Sequence, residues 1–68
     1  MSQAEKFVKS LYPDAYCLEF PSGIGDRYQV VYDPTGRYMP TYYLESKEAA
    51  WRQAEERINE RILMKLQS

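Results

Sequence analysis

Between residues 46 and 68 the chain contains neither Gly nor Pro, and no other stretch runs so far without a turn signal. Those two residues are the strongest helix breakers. Within the stretch Ala50, Trp51, Ala54, Ile58 and Ile62 fall on one helical stripe, the pattern of a helix with a buried face. Glu48 with Arg52, and Arg52 with Glu56, stand four residues apart, where opposite charges meet on a helix surface. Ser46 supplies the side-chain oxygen that an N-cap needs. A long helix is therefore predicted from Ser46 onward. Its small residues Ala50 and Ala54 let a sheet approach closely, and Trp51 is its expected central core residue.

The segments before it are short, aromatic and punctuated by turns. Ser2-Gln3-Ala4-Glu5 fits a capping box, and Ala4, Phe7, Val8 and Leu11 share one helical face. A helix over residues 3–11 is expected, stopped by Pro13. It is too short to stand alone and is expected to dock a Phe7/Leu11 face. Residues 15–20 alternate, with Tyr16, Leu18 and Phe20 on one side and Ala15, Cys17 and Glu19 on the other, the mark of a half-buried strand. Residues 27–32 alternate again, setting Tyr28, Val30 and Tyr32 against Arg27, Gln29 and Val31. Asp33-Pro34-Thr35-Gly36 carries a type I turn signature. A third strand is expected over residues 37–44, at a sheet edge or broken at Pro40, because proline cannot donate to a ladder. Tight connections favour an antiparallel meander. The expected fold is α+β: a three-stranded antiparallel meander with a short N-terminal and a long C-terminal helix packed on one face, α-β-β-β-α.

A chain of 68 residues makes one domain with a modest core. Seven Tyr, two Phe and one Trp help to fill it. The formal net charge of -1 argues against a nucleic-acid binder that works by displacing counterions. A single cysteine and no histidine exclude an internal disulfide and the common zinc sites, and no cofactor is implied. No signal-peptide pattern or membrane-length apolar run stands in the sequence, so a cytoplasmic protein is expected. Cys17 alternates with large apolar residues and has no histidine to activate it, which fits an inert thiol. The carboxylates Glu19, Asp26 and Asp33 are dispersed, and no acid/base pair is forced together. Gly23-Ile24-Gly25 lacks the lysine and the helix of a phosphate loop.

The order and length of the elements are similar to the double-stranded RNA-binding domain. That resemblance implies the shape; its basic cluster at the start of the second helix is missing, because the matching segment is Ser46-Lys47-Glu48-Ala49-Ala50-Trp51. Lys47 and Arg37 are the residues that could meet a phosphate. The Tyr-Pro-Asp-Ala run at residues 12–15 and Glu-Ala-Ala-Trp opening the last helix also resemble small phage and prophage accessory proteins. That likeness implies an adaptor or a stoichiometric inhibitor.

Two surfaces are expected to make contacts. Tyr28, Tyr32, Tyr38, Tyr42 and Tyr43 cannot all face the helices, since neighbours in a strand point to opposite sides. Tyr38 and Tyr42, with Arg27 and Arg37, are therefore candidates for a protein contact, because Tyr and Arg are favoured in hot spots. The second surface is the end of the last helix. About twenty helical residues span roughly 30 Å, more than strands of five or six residues can cover, at roughly 17–20 Å. Ile62, Leu63 and Leu66 at that end are candidates for a homodimer seam. The sequence thus points to a small non-enzymatic protein-binding module, with nucleic-acid binding by the Tyr/Arg face as the alternative.

Overall fold

The structure, a computed structural model, describes the chain apart from Met1, Ser22, Ile24, Pro34, Arg37, Tyr38, Ser68 and the side chain of Gln67. Its elements are α1 (Gln3–Leu11), β1 (Tyr16–Phe20), β2 (Arg27–Val31) and α2 (Lys47–Gln67). The fold is α+β, with a short and a long helix around a two-stranded antiparallel sheet.

Helix α1 starts where Ser2 Oγ accepts a hydrogen bond from the Glu5 amide at 3.1 Å. The Glu5 carboxylate pairs with Lys9 at 2.9 Å instead of turning back to the cap. The docked stripe is Ala4 and Val8, with Phe7 packed beside them, while Leu11 stays exposed. Helix α2 starts at Ser46, whose Oγ accepts from the Ala49 amide at 3.1 Å. Ala50, Trp51, Ala54 and Ile58 form its buried stripe as the spacing predicts, while Ile62, the fifth residue expected on it, lies past the core and is exposed. Together with Ala4, Val8, Ala15, Val30 and Tyr32 the four buried residues make one core, in which α1 packs on α2 and α2 packs on the sheet. The start of α1 lies by Glu48, Arg52 and Glu55, and Leu11 lies by Ile58 and Ile62. The two helices therefore run in the same direction, and α2 continues past the end of α1. The molecule is correspondingly long, 44 × 21 × 19 Å.

Strands β1 and β2 pair in register, Tyr16 with Val31, Leu18 with Gln29 and Phe20 with Arg27. The turn after β2 forms as expected around its first residue. Gly36, at a positive φ of 75°, donates to the Asp33 carbonyl at 3.1 Å, and Asp33 Oδ1 accepts from the Thr35 amide at 3.0 Å.

The expected third strand is not shown. Among the described residues of 37–44, the only ladder element is one bridge, Tyr28 with Leu44, whose amides and carbonyls exchange bonds of 2.7 and 2.8 Å. Two residues further along β2, the Thr41 amide donates to the Val30 carbonyl at 3.1 Å. The segment takes three steps from Thr41 to Leu44 while β2 takes two from Val30 to Tyr28. The extra residue throws the ladder out of step, as a bulge does. The Val30 amide then bonds to Thr41 Oγ1 at 2.8 Å, and the Thr41 carbonyl accepts from the Gln29 side chain at 3.0 Å. Side chains here do the work of a missing backbone ladder.

Candidate contact surfaces

The pairing register decides which way β1 faces. Val30 is fully buried and Cys17 opposite it is packed against the core. Alternation then turns Tyr16, Leu18 and Phe20 to the other side of the sheet. They are 47%, 36% and 37% exposed. The large apolar residues of β1 thus look outward, while Cys17 and, just before the strand, Ala15 look in. The rings of Tyr32, Trp51 and Phe7 share the interior with that small-residue side. The Tyr43 ring meets Phe20 edge-on at 5.1 Å, so Tyr16, Leu18, Phe20 and Tyr43 form one apolar face with no helix over it.

Among the sequence candidates, Tyr42 parts company with Tyr43. Its amide donates to Gln53 Oε1 at 2.7 Å, and the Arg57 guanidinium lies 5.1 Å from its ring. Arg57 also donates to the carbonyls of Met39 and Pro40, at 3.1 and 2.6 Å. Tyr42 therefore belongs to the seam between α2 and residues 39–42, with an exposed outer side. Arg27 lies on the open face by register and donates to the Asp26 carbonyl at 3.2 Å. Arg37 and Tyr38 lie outside the described residues. Lys47 holds its ammonium 5.9 Å above the Tyr28 ring. The structure thus does not gather Tyr42, Arg27 and Lys47 into one patch. It builds its aromatic face from Tyr16, Leu18, Phe20 and Tyr43, which the sequence candidates did not include. The alternation of residues 15–20 contained that signal but not which side was covered.

Beyond the core stripe, Ile62, Leu63, Met64 and Leu66 are all exposed. Leu11, Tyr12, Ile58 and Ile62 border a groove of about 280 Å³ whose polar rim is Arg61 and Lys65. Ile62 faces this groove, which brings the end of α1 into the second candidate surface.

The chemistry of the described side chains is sparse. Cys17 is a free, half-buried thiol. Burial pushes its pKa above the ordinary thiol value, against a smaller opposing pull from the Lys47 ammonium, so little thiolate is present near neutral pH. Among the described residues no cluster of Cys, Asp or Glu could hold a metal ion, and no helix is long and apolar enough to cross a membrane. Comparison with protein-family models, with curated proteins and with solved structures finds no match for the chain.

Proposed function

We propose that this chain is a non-enzymatic protein-binding module that works by stoichiometric contact through the open face of its sheet. The supporting observation is the orientation of β1: Tyr16, Leu18 and Phe20 point away from both helices, and Tyr43 extends the same face. A contiguous apolar patch that a fold leaves uncovered marks an interaction surface. Tyrosine and phenylalanine suit that role, since they bring large contact area at little conformational cost. A formal net charge of -1 favours a protein over a nucleic acid as the partner. The test is affinity capture from a lysate of the source cells, followed by sedimentation of the purified complex. A complex of fixed small-integer stoichiometry is expected. Capture of nucleic acid alone, lost at raised salt, would contradict the reading.

A second reading rests on α2. Its exposed Ile62, Leu63 and Leu66 supply a seam for a homodimer, with Leu11 at its edge.

A further inference from the structure

The hydrogen bonds of β2 also fix the direction of every backbone group in β1. Tyr28 and Val30 turn their amides and carbonyls toward residues 41–44. Arg27, Gln29 and Val31 therefore turn theirs toward β1, where they meet Phe20, Leu18 and Tyr16. That leaves Cys17 and Glu19 with N–H and C=O groups directed away from the sheet. The next residue back, Ala15, already has its amide bonded to the Tyr12 carbonyl at 2.9 Å. Among the described residues, none takes the outward groups of Cys17 and Glu19.

Exposed strand edges are ordinarily blunted by proline, by lysine, by a bulge or by a covering segment. The other edge of the sheet is treated this way, closed by Thr41 and Leu44 next to Pro40. Within Tyr16–Phe20 there is no proline, no lysine and no bulge, and the pairing with β2 runs unbroken over all five residues; Pro21 follows directly and ends the row of outward donors at Glu19. Strand β1 does carry the exposed Glu19, which makes no ion pair among the described residues.

We propose that the β1 edge receives an extended segment of a partner protein as a third strand, and that this segment alternates apolar with basic side chains. The backbone row at Cys17 and Glu19 calls for a strand rather than a helix. The segment's apolar side chains lie beside Tyr16, Leu18 and Phe20, and a Lys or Arg stands opposite Glu19. This inference rests on the protein-binding reading and specifies the form of the partner.

The test is selection from a random twelve-residue peptide library against the whole chain, with amide hydrogen exchange of the best synthetic peptide's complex. The expected peptides alternate apolar and basic residues and slow exchange at Cys17 and Glu19. Glu19→Pro, which removes one outward donor, is expected to weaken them about tenfold or more. Glu19→Lys leaves the backbone intact and is expected to weaken them about two- to fivefold, which guards against a proline variant that misfolds. No selected peptide, or peptides that bind without protecting Cys17 and Glu19, would overturn the edge assignment. Protection that grows with protein concentration without peptide would overturn it in favour of a second copy. If Leu18→Ser abolishes binding while both Glu19 variants retain it, the open-face reading stands and the edge inference alone falls.

Discussion

The rings of Phe20 and Tyr43 meet edge-on, 5.1 Å apart and 86° between planes, on the side of the sheet away from α2. Phe20 comes from β1 and Tyr43 from the irregular segment that follows β2, so the contact reaches across β2 to join its two neighbours. It also lies at one end of a face that no helix covers.

That exposure makes a prediction about stability. Phe20→Ser and Leu18→Ser are expected to cost about 1–2 kcal/mol each, since about a third of each side chain already meets water. Ile58→Ala, at a buried position, is expected to cost about 2–5 kcal/mol. Urea unfolding followed by Trp51 fluorescence distinguishes the two classes. A loss of the Ile58 size at Leu18 would mean that the open face is part of the core.

Thr41 stands in for a missing ladder. Its Oγ1 accepts from the buried Val30 amide at 2.8 Å. Thr41→Val keeps the shape and strands that donor, at an expected cost of about 1–3 kcal/mol, with faster exchange of the Val30 amide. Thr41→Ser retains the hydroxyl and is expected to lose much less. Equal behaviour of the two variants would remove the hydroxyl from the account.

Cys17 gives a pH prediction. Burial raises its pKa in the folded state, so the unfolded chain releases the thiol proton first. The unfolded state then binds fewer protons, and stability falls as pH rises. The contribution is fully present below the unfolded thiol value of about 8.5 and is lost as pH climbs through the higher folded value. Cys17→Ser should lose less stability than the native chain as pH rises past the unfolded thiol value. An identical drop in both proteins would show that other groups carry it.

The helix end has its own test. If Ile62, Leu63 and Leu66 form a homodimer seam, Ile62→Lys with Leu66→Lys yields a folded monomer, because both residues are exposed, and its unfolding no longer depends on protein concentration. Sedimentation equilibrium measures this. A native chain that stays monomeric at high micromolar concentration rejects the seam.

Much of this molecule was legible in its sequence, for reasons that can be located. Ser2 and Ser46 announce both helix starts because capping is local chemistry. Alternation located β1 and β2, and the Asp33–Gly36 bond follows from the residues of the turn. The split of Tyr42 from Tyr43 also follows from alternation. The expected third strand is not shown among the described residues, and the extra residue between Thr41 and Leu44 that breaks its ladder is visible only against β2. The outward turn of Tyr16, Leu18 and Phe20 was hidden for a similar reason. An alternating strand has two sides, and which one is buried depends on the rings of Tyr32, Trp51 and Phe7, brought from elsewhere in the chain.

The central claim is that the open sheet face is the contact surface. It is tested most directly by quantitative capture from source-cell lysate with the native chain and with Leu18→Ser/Phe20→Ser, each first shown to unfold cooperatively. The account predicts that the double variant remains folded and recovers the native chain's specific partner at no more than about a tenth of its level, corresponding to about 1.4 kcal/mol or more of binding free energy. Equal recovery of the same partner by both proteins would contradict it.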